Sequence, residues 1–251
     1  MRYVSTRGQA PVLGFEDTVM AGLARDGGLY VPETTPAMGA AEIRALAGLP
    51  YEEVAFRVMR PFVGDFGDEA LSRVIAEAYA VFRHPARAPL TQIGPADWIL
   101  ELNHGPTLAF KDFAMQVVAR LFETILARRG GRVTIVCATS GDTGSAAMEA
   151  FRGRAGCDLI VLYPHGRISE VQRRQMTTPV EPNVHALAVE GTFDDCQALV
   201  KAMFNDHAFR DEMRLGAVNS INWGRVLAQV VYYFTSAVAL GGPGRAISYA
   251  V

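Results

Sequence analysis

Apolar and polar positions divide the chain into two regimes. Up to about residue 87, apolar side chains recur at helical spacing in segments that glycine and proline separate. This pattern predicts helices over residues 15–24, 40–47, 51–62 and 68–82. Beyond residue 88, short apolar runs alternate with further helical patterns. These runs predict strands near Trp98, Val133, Leu159, Val184, Ala217 and Ile247.

The alternation of strands and helices predicts the fold class. Strand–helix–strand units imply right-handed crossovers and a largely parallel sheet. We therefore expect an α/β fold with flanking helices over residues 88–251, preceded by a mostly helical domain over residues 1–87. Ligands of parallel sheets bind at the carboxyl ends of the strands, so polar residues that follow a strand are candidates for a site.

Lys111 is the first such candidate. It stands at the start of a predicted helix, after a Gly-Pro turn that follows the apolar run at residues 98–102, which we interpret as a buried strand. Phe110 and Phe113 flank it, and apolar surroundings favour the neutral amine over the ammonium. A neutral amine can attack an aldehyde, as a Schiff-base lysine must. A solvated residue in a first helical turn is the alternative.

The predicted strand near Val133 leads into a loop of small and hydroxyl-bearing residues, Thr139-Ser140-Gly141-Asp142-Thr143-Gly144. Its glycines permit tight backbone geometry, and the free amides at a helix start attract an anion. The hydroxyl groups of Thr139, Ser140 and Thr143 add donors. A helix cap with small residues for close packing is an equally good explanation.

A third strand-to-helix junction follows the predicted strand near Ala217. It reads Asn219-Ser220-Ile221-Asn222-Trp223-Gly224-Arg225. Asn219 and Ser220 can donate side-chain hydrogen bonds, and the planar guanidinium of Arg225 suits a phosphate or carboxylate. Helix capping and an ordinary ion pair are the alternatives.

Taken together, these motifs resemble the threonine synthases of the bacterial and fungal type. The similar segments are His104-Gly-Pro-Thr-Leu-Ala-Phe-Lys111-Asp-Phe, Ala138-Thr-Ser-Gly-Asp-Thr-Gly144 and Asn219-Ser-Ile-Asn-Trp. Other stretches from about residue 3 to residue 251 are similar as well, so the resemblance covers the chain. That family belongs to the fold-type-II enzymes that depend on pyridoxal phosphate, together with the tryptophan synthase β subunit, and the resemblance implies the same fold.

The resemblance also implies a role for each motif. Lys111 would carry pyridoxal 5'-phosphate as a Schiff base and move protons as the catalytic base. Asp142 would contact the cofactor, at a position where relatives often have an asparagine. The residues that would hold the substrate's phosphate are Thr139, Ser140, Thr143, Asn219, Ser220 and Arg225. The implied reaction converts O-phospho-L-homoserine and water to L-threonine and phosphate, with the cofactor as electron sink.

Two other functions remain open from the sequence. A related pyridoxal-phosphate phospholyase would eliminate phosphate and release 2-oxobutyrate, and a non-catalytic binding module would keep the fold alone. The chain stops in a predicted apolar strand, before the Gly-Asn-rich loop with which the family binds the cofactor phosphate. We therefore expect a fragment of a longer enzyme that has weak or no activity of its own.

Composition narrows the function classes further. A net charge of −2 and dispersed arginines give no electrostatic case for nucleic acid or an acidic membrane, and the small-molecule substrate is what the resemblance implies. No apolar run is long enough to span a bilayer. Cys137, Cys157 and Cys196 lack zinc-site spacing, so we expect no metal and buried free thiols in the cytoplasm. Asp194 and Asp195 are expected to form a solvated helix start.

Overall fold

The computed structural model describes residues 1–218, 220 and 222–251, without the side chain of Asp65. Its helices are α1 (Phe15–Ala21), α2 (Ala40–Arg44), α3 (Tyr51–Met59), α4 (Asp68–Tyr79), α5 (Asp112–Arg129), α6 (Asp142–Phe151), α7 (Glu170–Thr177), α8 (Phe193–Asn205), α9 (His207–Glu212) and α10 (Trp223–Ala239). Its strands are β1 (Tyr3–Ser5), β2 (Tyr30–Pro32), β3 (Leu90–Gln92), β4 (Trp98–Leu100), β5 (Val133–Ala138), β6 (Cys157–Pro164), β7 (Val184–Val189) and β8 (Leu215–Gly216).

A parallel sheet forms the centre of the second half of the chain. Its four strands lie in the order β7–β6–β5–β8, and all neighbouring strands are parallel. Helix α6 connects β5 to β6, α7 connects β6 to β7, and α8 with α9 leads to β8. The predicted α/β class is confirmed, with strands near Val133, Leu159 and Val184 as expected. Because parallel strands end on one edge, the loops after β5 and β8 open on the same side.

The strand predicted near Trp98 has a different place from the one expected. Strand β4 pairs antiparallel with β3 in a separate two-stranded hairpin. Ile99 is 49% exposed, so the interpretation of residues 98–102 as a buried strand is wrong. A short apolar run does not show which neighbour will cover it, and here a hairpin partner covers one side alone.

The prediction of a strand near Ile247 is also wrong, because residues 246–251 form no strand. The hydroxyl of Tyr249 donates instead to the carbonyl oxygen of Tyr233 at 3.0 Å. The two rings meet edge to face at 4.9 Å between centroids. This last segment therefore packs on α10 and contributes no strand to the parallel sheet.

The predicted N-terminal helices are confirmed, although they end earlier than expected. Helix α1 ends at Ala21 because Gly22 takes a φ of 64°, which interrupts helical geometry. Helix α3 ends at Met59, and a 3-10 turn that contains Pro61 continues it. The antiparallel pair β1–β2 was not predicted, since strands of three residues are too short to show a period.

One large hydrophobic cluster joins the N-terminal helices to α5 and to the parallel sheet. At its centre Phe113 of α5 contacts an aromatic group from three other segments. The centroid of the Phe113 ring lies 4.5 Å from the ring centroid of Phe82, 5.8 Å from that of Tyr51 and 5.7 Å from that of Tyr232. This packing fixes the start of α5, where Lys111 lies. A domain boundary at residue 87 stays a prediction.

Two further observations concern membrane spans and the cysteines. Among the described residues, no helix is long and apolar enough to cross a membrane. Cys137, Cys157 and Cys196 are free and buried, as predicted. Burial raises the pKa of Cys137 and of Cys157 to about 12, which makes both thiols unreactive near neutral pH.

Candidate functional site

Lys111 lies at the N-cap of α5, between the core and the carboxyl edge of the parallel sheet. Its side chain is 15% exposed, and its Nζ lies 2.5 Å from Asp142 Oδ2. The same Nζ lies 4.3 Å from the centre of the Phe110 ring. The predicted partly apolar surroundings are therefore present on one side, while a carboxylate occupies the other. The sequence did not predict this ion pair.

The ion pair brings together two loops that are about thirty residues apart in sequence. Asp142 is the first residue of α6 and follows β5 through a three-residue loop. Its second oxygen, Oδ1, accepts the backbone N–H of Thr143 at 2.9 Å. The carboxylate is thus held by its own helix start while it faces Lys111, which is a favourable place for an anion.

Thr139 begins the loop between β5 and α6 and is buried, with 1% of its surface exposed. Its Oγ1 accepts the backbone N–H groups of Gly141 at 3.0 Å and Gly144 at 2.8 Å. Both acceptor positions of the hydroxyl therefore serve the loop, and its O–H is the polar group left for a ligand. The predicted role of this side chain in holding the helix start is thus present, and its role in an anion site stays a prediction.

Glycine is required at two positions of this loop for different reasons. Gly141 has a φ of 144°, and an added Cβ would lie 2.0 Å from Gln172 Oε1 of α7. At Gly144 an added Cβ would lie 2.5 Å from Met176 Sδ and 2.8 Å from Val161 Cγ1. The loop is consequently packed tightly between β6 and α7, which fixes the start of α6.

The other two hydroxyl residues of the loop are more accessible. Ser140 is exposed, and Thr143 is half-buried in the first turn of α6. Both lie beside Asp142 in the chain, so the hydroxyls predicted to hold a phosphate line the same loop that contacts Lys111. Their role as ligand donors stays a prediction.

The junction between β8 and α10 carries the remaining predicted residues. Asn219 lies outside the described residues, and Ser220 is exposed. Asn222 is fully buried and caps α10: its Oδ1 accepts from Gly224 N at 2.9 Å. Its Nδ2 donates to the carbonyl oxygens of Val19 at 2.8 Å and Ala217 at 2.9 Å. This amide therefore ties α1 to the sheet edge.

Arg225 is the buried cation of this edge, with 3% of its surface exposed. One Nη donates to the carbonyl oxygen of Val218 at 3.5 Å, while Nε has no hydrogen-bond partner among the described residues. Burial lowers the pKa of Arg225, and the nearby carboxylate of Asp142 opposes this shift. A buried guanidinium whose Nε has no partner among the described residues is suited to an anionic ligand.

Two residues that the sequence argument passed over also shape the site. Asp112 is fully buried and binds the turn before Lys111, and Asn222 secures the β8–α10 junction. A signal for Asp112 exists in the sequence: an acidic residue stands next to the apolar stripe that begins at Phe113. No group of three His, Cys, Asp or Glu side chains in the described part of the chain is placed to hold a metal.

Two cavities lie away from these residues. One of about 380 Å³ is lined by Tyr51, Pro85 and Ser236, among others, and one of about 610 Å³ by Met38, Phe56 and Trp223, among others. Both are mainly apolar, and neither is lined by Lys111 or by the loop after β5. Convergent polar groups therefore favour the sheet edge as the candidate site, despite the size of these cavities.

Comparison with protein families gives two consecutive matches. Residues 2–79 match the family described as "Threonine synthase N terminus", and residues 82–226 match the family described as "Pyridoxal-phosphate dependent enzyme". The second match includes Lys111, the loop after β5 and the start of α10.

Individual relatives agree with the family matches. A threonine synthase of Pseudomonas aeruginosa is 57% identical over 252 residues, covering 100% of this chain and 54% of the relative. The chain is similar to the crystal structure of threonine synthase with bound pyridoxal phosphate from Brucella melitensis, at 58% identity and a TM-score of 0.92, covering 98% of this chain and 53% of that chain. The crystal structure of threonine synthase from yeast is similar as well, with 43% identity and a TM-score of 0.88, and the match covers 96% of this chain and 50% of that chain. The chain thus spans about half the length of the curated relatives it matches.

Proposed function

Because the chain belongs to the family of pyridoxal-phosphate dependent enzymes, we propose that it is the lysine-bearing part of a threonine synthase. The proposed reaction converts O-phospho-L-homoserine and water to L-threonine and phosphate. The observation that carries the proposal is the ion pair between Lys111 and Asp142, which sets a partly buried amine against a hydroxyl-rich loop.

The residues present fit the aldehyde of pyridoxal phosphate and the phosphate group of a substrate. The aldehyde of the cofactor requires a primary amine, which Lys111 supplies, and Asp142 is within reach of the same atom. An anionic phosphate requires uncompensated donors. Arg225 Nε is buried and has no partner among the described residues, and the exposed hydroxyl of Ser140 lies on the adjoining loop.

Each group has a separate task in this proposal. Pyridoxal phosphate, when bound, supplies an electron sink for the carbanion formed at the substrate. Lys111 accepts and returns protons at its Nζ, and Asp142 orients this amine by the contact at 2.5 Å. Arg225 places positive charge where phosphate leaves, in a buried setting where electrostatic stabilisation is strong.

The hydroxyl donors complete the phosphate site in the proposal. Thr139, Ser140 and Thr143 stand on the loop after β5, and Ser220 stands at the β8–α10 junction on the same sheet edge. Asn219 belongs to the same proposed set. Neutral donors stabilise a phosphate without forming a competing ion pair with Asp142.

We also place this protein in the cytoplasm. Its three cysteines are free and buried, as is usual in a reducing compartment. The substrate in the proposal is a small phosphorylated amino acid, which accords with the modest net charge of −2.

The amino-acid composition allows a direct test of the lysine. The sequence contains two lysines, Lys111 and the exposed Lys201 of α8. We expect that excess pyridoxal phosphate followed by borohydride labels Lys111 in preference to Lys201 in the folded protein. Peptide mapping gives the ratio of the two products. Equal labelling of both lysines, or labelling of Lys201 alone, contradicts the proposal.

Two matched variants and one product assay complete the experiment. Lys201→Arg is expected to keep the adduct, while Lys111→Arg removes it and leaves the charge at the N-cap of α5. The protein is then given O-phospho-L-homoserine in the presence of pyridoxal phosphate. Threonine with phosphate supports a threonine synthase, whereas 2-oxobutyrate with phosphate identifies a phospholyase.

A further inference from the structure

Asp112 is a buried carboxylate for which the proposed reaction has no task. It follows Lys111 directly and is fully buried, with 0% of its surface exposed. Both of its oxygens bind Thr107: Oδ2 accepts the backbone N–H at 2.9 Å, and Oδ1 accepts the hydroxyl at 2.7 Å. Among the described residues it forms no ion pair within 4.0 Å. Burial raises the pKa of Asp112, although the bonds from Thr107 oppose this rise.

An ordinary helix-start role does not explain these bonds. An acidic residue that serves its own helix accepts N–H groups from the first turn of that helix. Asp112 instead reaches back over five residues to Thr107, in the turn that precedes Lys111. The bonds therefore hold the turn and leave the amides of α5 to other partners.

The turn from Gly105 to Lys111 is under backbone strain that its own side chains do not offset. Leu108 adopts a φ of 63°, which is rare for a large side chain, and it is 57% exposed. Its burial therefore contributes little to stability. Such a conformation persists when neighbouring groups determine it. The described contacts that do so include the bond from Leu108 N to Gly105 O at 3.2 Å, the bond from Gln175 Nε2 to Thr107 O at 3.3 Å and the two bonds between Thr107 and Asp112.

Gly105 adds a steric reason for the same arrangement. A Cβ at Gly105 would lie 2.5 Å from both the Cβ and the Oδ2 of Asp112. The backbone of the turn thus passes directly over the carboxylate. A change in the position of Asp112 would move the turn, and with it Phe110, whose ring lies against Lys111 Nζ.

We propose that Asp112 is a positioning residue. By holding Thr107, and with it the strained turn between Thr107 and Asp112, it sets the direction of the Lys111 amine. This inference rests on the proposed function, since the direction of the amine matters for capture of the cofactor aldehyde. Asp112 acts through the backbone and does not itself touch the cofactor or the substrate.

The test uses the two lysines as an internal comparison. Pyridoxal phosphate and borohydride are applied to the parent protein and to Asp112→Ala, and the ratio of label on Lys111 to label on Lys201 is measured by peptide mapping. We expect the ratio to fall about tenfold or more in Asp112→Ala, because small displacements of a reacting group have large effects on rate. Asp112→Asn is expected to restore most of the ratio, since an amide can accept from Thr107 N–H and donate to its hydroxyl.

A second readout needs no cofactor. Amide hydrogen exchange of the peptide that spans residues 103–113 is measured on the protein alone. We expect faster exchange at Thr107 in Asp112→Ala and parent-like exchange in Asp112→Asn. Thr107→Val tests the partner from the other side and is expected to lower the labelling ratio less than Asp112→Ala, since it keeps the backbone bond.

A control separates positioning from loss of stability. Val184→Ala truncates a buried side chain in β7, at the far edge of the sheet, and is expected to lower stability without changing the labelling ratio. A ratio that falls equally in Val184→Ala, or that stays at the parent value in Asp112→Ala, overturns this inference alone. A parent protein that carries no label on Lys111 overturns both the inference and the proposed function.

Discussion

Two strand-to-helix junctions on one edge of the sheet solve the same structural problem with different results. At the β5–α6 junction, Thr139 is buried and accepts two backbone N–H groups of its own loop. At the β8–α10 junction, Asn222 is buried and both donates and accepts. In each case one polar side chain replaces the hydrogen bonds that a helix start lacks.

The difference lies in which neighbour each junction contacts. Asn222 reaches Val19 at the end of α1, so the β8–α10 junction joins the N-terminal region to the sheet. The side chain of Thr139 bonds the backbone of its own junction, and the β5–α6 junction presents Asp142 to Lys111. The β8–α10 junction therefore stabilises the tertiary structure through Asn222 and also carries Arg225, whereas the β5–α6 junction sets Asp142 against Lys111. Substitutions at the two junctions should separate stability from cofactor capture.

Asn222→Ala is expected to have the largest effect on stability. It leaves two buried carbonyl groups and one buried amide without partners, and each such group costs about 1–3 kcal/mol. We expect the free energy of unfolding, measured with urea, to fall by about 3 kcal/mol or more. The labelling ratio of Lys111 to Lys201 should stay near the parent value. Ser220→Ala, an exposed neighbour, is the matched control and should be close to neutral.

Thr139→Val is expected to affect both properties. Valine keeps the shape of threonine but cannot accept the N–H groups of Gly141 and Gly144, so stability should fall by about 2 kcal/mol. Because those bonds hold the start of α6, Asp142 should lose its fixed contact with Lys111, and the labelling ratio should fall as well. Thr139→Ser should restore both. An unchanged ratio in Thr139→Val would show that the two junctions do not differ in the way described.

Much of the fold could be predicted from the sequence because periodicity records burial. The parallel strands near Val133 and Val184 are mostly apolar runs, and helices α3 and α4 repeat apolar positions at helical spacing. The hairpin position of Trp98 could not be predicted, since an apolar run does not show which segment pairs with it. The β1–β2 pair was missed because each strand has three residues.

The candidate site was predicted less completely, for a related reason. Motifs pointed to Lys111, Thr139 and Arg225 as candidates, because each follows a predicted strand and precedes a predicted helix. The partners of these residues depend on tertiary structure: the contact between Lys111 and Asp142 requires that α5 and α6 start side by side. Asp112 has a common residue type at a helix start, and its contact with the preceding turn appears once the bonds to Thr107 are known.

Gly144→Ala tests the packing that distinguishes the β5–α6 junction. The added methyl group would overlap Met176 Sδ at 2.5 Å and Thr139 Cγ2 at 2.6 Å, and overpacking of this kind costs about 1–3 kcal/mol. We expect the free energy of unfolding, measured with urea, to fall by about 2 kcal/mol, although alanine favours a helix more than glycine does. Gly131→Ala is the matched control, because its methyl group would meet Leu126 Cδ2 at an ordinary 3.5 Å. A neutral result for Gly144→Ala would mean that α7 shifts readily.

A third junction on the same edge, between β7 and α8, supplies the smallest expected effect. Here the capping side chains are exposed: Thr192 Oγ1 accepts from Asp195 N at 3.3 Å, and Asp195 Oδ2 accepts from Thr192 N at 2.7 Å. This confirms the solvated helix start predicted at these residues. Thr192→Ala is expected to lower the free energy of unfolding, measured with urea at about pH 7, by about 1 kcal/mol.

The pH dependence of this third junction has a definite sign. Hydrogen bonds from Thr192 hold the pKa of Asp195 below its usual range, so the carboxylate is the form that the folded state favours. Its contribution is present above the ordinary aspartate pKa and is lost as the pH falls through the lowered one. The difference in unfolding free energy between parent and Thr192→Ala should therefore shrink at about pH 3. A difference that is constant with pH would assign the cap to the threonine hydroxyl alone, and Asp195→Asn should then be neutral.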